Sequence, residues 1–162
     1  MSLDSKIYRD IWGGFVTGVT VITTDCDGWL HGMTANGVTS VSLDPLLMLV
    51  CVDKETRCHA QLVEAGAFGV SLLGADQQEI SDTFAEGADP EQGRLRGVPF
   101  HNGPNGTPIL DDSLAYLECR LKEVLDGGDH DIFIGEAVGG EILRPEDPPL
   151  VFFRGSYRQL SE

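Results

Sequence analysis

At 162 residues, with 41% apolar and 23% charged side chains, the chain has the size and composition of a soluble globular domain with its own core. Its formal net charge of −15 speaks against nucleic acid and anionic membrane as partners, because the eleven Lys and Arg are scattered and form no basic patch. No apolar run approaches the roughly 20 residues of a membrane span, and the first ten residues lack the apolar segment of a signal peptide, so a cytoplasmic protein is expected. Cys26, Cys51, Cys58 and Cys119 form no C-x-x-C pair and have no His at zinc spacing. They read as small buried hydrophobes, and no metal site is expected.

In chain order, Ile7, Ile11 and Phe15 recur at four-residue spacing beside Tyr8 and Trp12 and predict a short amphipathic helix. Residues 16–24 are rich in β-branched side chains and predict a strand. Asp27-Gly28 marks a turn, and residues 29–36 return as a second strand. Residues 46–52 are continuously apolar, as expected of a strand buried on both faces. Residues 53–65 have helical character, with Cys58, Leu62 and Ala65 on one face, and residues 68–73 predict another strand. Asp76 and Glu79 resemble a capping pair ahead of a helix that buries Ile80 and Phe84. From 86 to 108 Gly and Pro punctuate a long loop, which predicts a functional or mobile segment. Ala115, Leu117, Cys119 and Leu121 alternate with Tyr116, Glu118, Arg120 and Lys122, the pattern of a half-buried strand. Residues 126–129 form its hairpin turn and 132–143 its partner, and after a turn at 145–149 residues 150–153 make the last strand.

Six or seven strands joined mostly by hairpins, with short helices between them, predict a mainly β fold: an antiparallel barrel with flanking helices, in one domain over residues 1–162. No G-x-G-x-x-G opens a βαβ unit, which excludes a Rossmann dinucleotide fold.

The run Gly32-Met33-Thr34-Ala35-Asn36-Gly37-Val38-Thr39-Ser40-Val41-Ser42-Leu43-Asp44-Pro45 sets small residues and hydroxyls between two apolar segments. Such a stretch brings backbone N–H groups and short donors close to a ligand, such as a phosphate or a polar heterocycle.

Four segments in one order resemble a known family: Phe15-Val16-Thr17-Gly18-Val19-Thr20-Val21, the run at 32–45, Gly127-Gly128-Asp129-His130 followed by Ile134-Gly135-Glu136, and Arg154-Gly155-Ser156-Tyr157. The chain, from about Tyr8 to Leu160, resembles the flavin reductases with the split-barrel flavin-binding fold. These are the reductase components of two-component flavin monooxygenases. The resemblance implies a homodimer of six-stranded, Greek-key split barrels. It also implies reduction of FMN or FAD by NADH or NADPH, and release of the reduced flavin to a separate oxygenase. NADH is favoured, because no basic cluster offers a place for the extra phosphate of NADPH.

The same resemblance implies roles for particular residues. Thr34, Ala35, Asn36 and Gly37 match the segment along the flavin ring. A strand end turning into a loop is the plain alternative. Thr39, Ser40 and Ser42 are candidate donors to the ribityl chain or phosphate, although Ser42 could instead cap the turn after it. Asp53, Lys54, Thr56 and Arg57 match the segment that receives the flavin phosphate, at a helix start suited to anions. Glu55 departs from the Ser found in relatives and is expected to face solvent. Phe84 is a candidate contact to the flavin and also fits the core beside Ile80. His130 matches the Gly-Asp-His position beside the nicotinamide, where it would orient the ring. Tyr157 would meet the dinucleotide as the C-terminal end closes over the site, or would lie in a surface tail. Two other readings stay open: a flavin-binding barrel without efficient turnover, and a non-enzymatic interaction barrel with 86–108 as its contact surface.

Overall fold

In a computed structural model, which describes residues 2–86 and 94–160, the first element is α1 (Ser5–Trp12). Asp4 caps it, its carboxylate accepting from the Ile7 N–H at 2.8 Å, and Lys6 pairs with Asp10 one turn on. The predicted amphipathic pattern forms a helix, but none of its residues is buried. Phe15 falls beyond the helix end and stacks on Trp12, with ring centroids 5.3 Å apart.

The strand expected over 16–24 is two strands. β1 (Thr17–Gly18) pairs with residues 151–152, and β2 (Thr20–Cys26) enters the main sheet. β3 (Trp29–Ala35) returns through the two-residue loop Asp27-Gly28, where both residues have positive φ as such a hairpin requires. The run at 32–45 holds a strand of its own, β4 (Val38–Leu43), which pairs with β5 (Leu46–Asp53). β5 is not buried on both faces. Met48, Val50 and Val52 are in the core, while Leu47, Leu49 and Cys51 between them are half-buried.

α2 (Arg57–Ala65) starts four residues later than expected, because Asp53 completes β5 and residues 54–56 turn. Thr56 is its N-cap, and Gly66 ends it at φ 66°. β6 (Ala67–Leu72) follows, then α3 (Gln78–Ala85). The expected Asp76–Glu79 capping pair is absent: Gln77 occupies the cap position, and Asp76 instead accepts from Arg144 at 3.1 Å. Of the long loop, residues 87–93 lie outside the described residues. The remainder carries a hairpin of β7 (Phe100–Asn102) and β8 (Pro108–Leu110). β9 (Ala115–Gly127) and β10 (His130–Ile142) form the longest hairpin, and β11 (Val151–Phe153) and β12 (Ser156–Arg158) the last.

The main sheet is fully antiparallel in the order β3-β2-β6-β9-β10-β5-β4, seven strands where six were expected; β1-β11-β12 form a second, small sheet. Its edge strands β3 and β4 are consecutive in the chain and joined only by Asn36 and Gly37, so the sheet has to curl until its edges meet. They do not hydrogen-bond to each other, and the barrel is split there.

Ile22, Val50, Val52, Leu62, Phe68 and Phe133 fill one core cluster, and Val21, Leu73, Phe84, Leu110 and Leu150 a second. Gly135 lets strand and core approach, since a Cβ there would stand 2.6 Å from the Phe68 ring. The alternation in β9 has an unexpected outcome. Its polar-face residues Tyr116 and Glu118 are buried, because the β7–β8 segment covers that face, while Leu117 is only half-buried. All four cysteines are free thiols. Burial pushes Cys58 and Cys119 up to about 12, which keeps them protonated and unreactive at neutral pH.

Candidate flavin and nicotinamide site

The split between β3 and β4 positions the candidate site. At the end of β3, Ala35 is buried, and its carbonyl accepts from the Thr20 hydroxyl at 2.8 Å. Asn36 Nδ2 makes a long contact, 3.4 Å, to the Thr17 hydroxyl, and the Gly37 carbonyl accepts from the Cys51 N–H at 2.9 Å. Beside this seam opens a cavity of about 400 Å³. Leu46, Leu47, Met48, Val70, Leu117 and Ala137 supply its apolar side, and Thr17, Thr20, Asn36, Thr39, Ser40 and Ser42 its polar rim. A bulge between Ser40 and Ser42 shifts the register of β4 against β5, so the edge strand turns hydroxyls toward the cavity that strict alternation would divide between faces. The Ser42 hydroxyl also accepts from the Asp44 N–H at 3.3 Å, and that of Ser40 has no protein partner among the described residues.

Thr34, Phe84 and Tyr157 are placed elsewhere. The Thr34 hydroxyl donates to the Ser81 carbonyl at 2.6 Å, and the Tyr157 hydroxyl meets the Ser81 hydroxyl at 2.7 Å, so both are tied to α3. Burial raises the Tyr157 phenol above its ordinary value. Phe84 packs in the core under Gly32, where a Cβ would stand 2.5 Å from its ring. None of these three lines the cavity, nor does Ala35.

The start of α2 forms a separate polar cluster. Asp53 accepts from the Glu55 N–H at 2.8 Å, and Thr56 donates to the Asp53 carbonyl at 2.8 Å while accepting from the His59 N–H. Glu55 is exposed, as expected, and Arg57 is exposed without an ion pair among the described residues. Lys54 is engaged: it pairs with Asp126 and lies 3.4 Å from Asp131, which also binds His59 Nε2 at 2.7 Å. The β5–β10 register sets His130 opposite Asp53, and the Lys54 N–H donates to the Asp129 carbonyl at 3.1 Å. His130 Nδ1 meets the Asp129 carboxylate at 2.8 Å, which holds that carboxyl below its ordinary range.

Ser42 pairs with Leu47, six residues from Asp53 along β5, or about 20 Å at the usual rise of a strand. The Asn36–Gly37 seam lies between these two points. A single ligand that touches both Ser42 and the start of α2 would have to span that distance.

The Lys54 cluster predicts a pH window. The Asp131 carboxyl is lowered first by His59 and then by Lys54, and the Asp126 carboxyl by Lys54, while Asp126 raises Lys54. The lowered carboxyls stabilise the hairpin end above their unfolded values, and this is lost as pH falls through the folded ones. The Lys54 contribution is present below the ordinary lysine value and is lost only as pH rises through its raised one. Amide shifts of Gly127 and Gly128, followed by NMR, should move together in an acid step below about pH 4. Asp131→Asn should reduce that acid step, and an unchanged step would refute the clamp.

A split antiparallel barrel with a hydroxyl-rimmed apolar cavity at its seam defines a small-ligand-binding barrel. A family profile described as the flavin reductase like domain matches residues 12–161, and the chain belongs to that family. It is 41% identical over 139 residues to a probable flavin reductase of Rhizobium meliloti (strain 1021), covering 85% of this chain and 44% of that protein. It thus spans less than half the length of that relative. It is 37% identical over 156 residues to the reductase subunit HsaB of a flavin-dependent monooxygenase from Rhodococcus jostii (strain RHA1), covering 96% and 78% of the two chains. Among solved structures it superposes on the NADH:FAD oxidoreductase SgcE6 of Streptomyces globisporus C-1027, in complex with NAD and FAD fragments. The TM-score is 0.90 and the identity 34%, over 99% of this chain and 97% of that one.

What sequence reasoning missed at the site are residues brought in from afar. Thr17 and Thr20 reach the rim from β1 and β2, Ser81 holds Thr34 and Tyr157, and Asp131 engages Lys54. The Thr17-Gly18-Val19-Thr20 segment was visible in the resemblance, but only as part of the fold pattern.

Proposed function

We propose that the chain is an NADH-dependent flavin reductase that hands reduced flavin to a separate monooxygenase. The observation that carries this reading is the cavity at the barrel seam, in a member of a family whose relatives include a monooxygenase reductase subunit and an NADH:FAD oxidoreductase. Its volume is in the range of small-molecule sites, about 300–1,000 Å³. Its apolar side suits a flat aromatic ring and its hydroxyl rim suits the ring's polar edge.

In this reading Thr39, Ser40 and Ser42 serve the edge of the flavin ring, and the ribityl chain passes Asn36 and Gly37. The phosphate meets the N–H groups at the start of α2 with Thr56 and Arg57. Lys54 acts as a clamp on the β9–β10 hairpin. His130 sits at the nicotinamide, and Thr34, Phe84 and Tyr157 support the wall. Bound flavin and NADH supply the hydride chemistry; the chain stacks and orients them and excludes water. FMN and FAD both fit, because nothing at the rim is specific for adenine.

The cavity lip leaves Leu43 and Leu46 exposed, at 83% and 53%, and Ile142, 70% exposed, lines an adjoining cleft that shares Leu46 with it. Apolar residues gathered at a site entrance suit a protein interface. We assign them to the contact with a second copy, giving a homodimer. We place the protein in the cytoplasm, where reduced pyridine nucleotide is available.

The test is oxidation of NADH in air with and without added FMN or FAD, followed at the nicotinamide absorbance. Turnover that depends on added flavin is expected, and NADPH should be the poorer donor. Quenching of flavin fluorescence without turnover would replace the reductase by a flavin-holding barrel. Absence of both would overturn the proposal.

A further inference from the structure

His130 stands between two aspartates with different surroundings. The Asp129 side chain is 93% exposed and meets His130 Nδ1 at 2.8 Å. The Asp131 side chain is only 15% exposed and meets α2 instead: its carboxylate lies 2.7 Å from His59 Nε2 and 3.4 Å from Lys54 Nζ. Those two neighbours hold the Asp131 carboxyl below its ordinary range, so it is ionised at neutral pH. An ionised carboxylate only accepts, and His59 Nε2 therefore carries the proton of that bond.

The His59 ring is held on a second side. It stands edge-on to the fully buried Phe133, with centroids 5.1 Å apart and planes at 86°. Asp131 and Phe133 are two apart in β10 and share a face of the strand, so one imidazole meets both. His130 belongs to the opposite face.

Neither element needs this contact merely to stay in place. α2 already buries Cys58 and Leu62, and β10 is paired on both sides by β5 and β9. The ladder with β5, however, stops at His130, opposite Asp53. Past that pair the backbone is held by the Lys54 N–H, which donates to the Asp129 carbonyl at 3.1 Å. The contact of Asp131 with His59 and those of Lys54 with Asp126 and Asp131 add side-chain ties where the ladder runs out. Ties on residues 129 and 131 fix the backbone on either side of His130, and with it the direction its imidazole takes.

From this arrangement we infer that His59 is a positioning residue for the nicotinamide: acting through Asp131, it fixes the start of β10 so that His130 is presented in one orientation. The inference rests on the reductase reading above, which puts His130 at the nicotinamide. In that reading His59 touches neither cofactor. It lies in the first turn of the helix whose start is assigned to the flavin phosphate, so a single contact sets the two cofactor regions against each other.

A double-mutant cycle on the full chain tests it. His59→Ala should raise KM for NADH about fivefold, the order of one weakened hydrogen bond, with kcat preserved. FMN affinity should stay within about twofold. His59→Gln can return an N–H to the place of Nε2 and should recover most of the loss. In a His130→Ala background, His59→Ala should add less than about twofold, because its effect passes through the imidazole. An effect that multiplies undiminished in that background would overturn the inference, and so would equal losses of FMN and NADH affinity, which would make the contact a support for α2. A second measurement is independent of turnover. In flavin-free protein carrying isotopically labelled histidine, the His130 ring-nitrogen signals should shift and broaden in His59→Ala and return in His59→Gln. Signals that ignore His59→Ala would overturn the inference even if the reductase activity stands. Signals that respond, in a parent protein that oxidises no NADH, would keep the tie between His59 and His130 and sink the reductase reading.

Discussion

Glu118→Ala is expected to destabilise the protein by about 3 kcal/mol, the scale of leaving several buried partners of one charged group unmatched. At this chain length that lowers Tm by roughly 10 °C. The Glu118 side chain is fully buried and accepts from the Asn105 N–H at 3.0 Å, the Asn105 side-chain amide at 3.0 Å and the Thr107 N–H at 3.3 Å. It is the bolt between β9 and the turn that closes the β7–β8 hairpin. The surroundings are shaped for it: a Cβ on Gly103 would stand 2.5 Å from the carboxyl carbon, and one on Gly139 2.9 Å from Oε2. Truncation leaves the donors facing a void. Glu118→Gln keeps one accepting oxygen and should cost about half as much, because only the charge-assisted part and one acceptor are lost. Thermal unfolding followed by circular dichroism separates the cases, and a Tm within 2 °C of the parent, roughly the effect of 1 kcal/mol or less, would show that the turn is held by other contacts.

Glu118 also marks where the sequence misleads and why. Alternation along β9 correctly announces a strand, but it assigns the glutamate to solvent. A period-two pattern reports the chemistry of each face, not what covers it. The cover here is the β7–β8 hairpin, which lies in the Gly- and Pro-rich stretch where no periodicity announces an element. β4 was concealed differently: Thr39, Ser40 and Ser42 are small and polar because they rim a cavity, and the same property makes an edge strand resemble a loop. In α1 the amphipathic spacing forms a helix, but Ile11 stays exposed and the neighbouring Tyr8 and Trp12 line a surface cleft, so the helix adds nothing to the core. The site divides along similar lines. Asn36, Gly37, Thr39, Ser40 and Ser42 are neighbours in sequence and could be read together. The pairing of Lys54 with Asp126 and Asp131 spans more than 70 residues and depends on the β5–β10 register, which no local pattern reveals.

That register also supports the sharpest functional prediction. His130→Ala is expected to raise KM for NADH about tenfold, equivalent to one lost hydrogen bond of about 1.4 kcal/mol. Flavin affinity should stay within about twofold, a difference below 0.5 kcal/mol. His130 begins β10 opposite Asp53, and its Nδ1 is bound to Asp129, so the imidazole is held in place at a short hairpin turn. It is half-exposed, and Nε2 has no protein partner among the described residues, which leaves that nitrogen available to a carboxamide-like group. The flavin contacts assigned above belong to β4 and the start of α2, so removing the imidazole should not reach them. Asp129→Asn offers an independent check. It keeps a hydrogen-bonding partner for Nδ1 while removing the charge, and should change KM for NADH less than His130→Ala does. Stopped-flow reduction of flavin at saturating NADH distinguishes binding from chemistry: a KM effect with kcat preserved places His130 in orientation of the dinucleotide. A fall in kcat at unchanged KM would instead make it a group that acts only in the transition state. Equal loss of flavin and NADH affinity would move His130 out of the nicotinamide site and into the support of the hairpin.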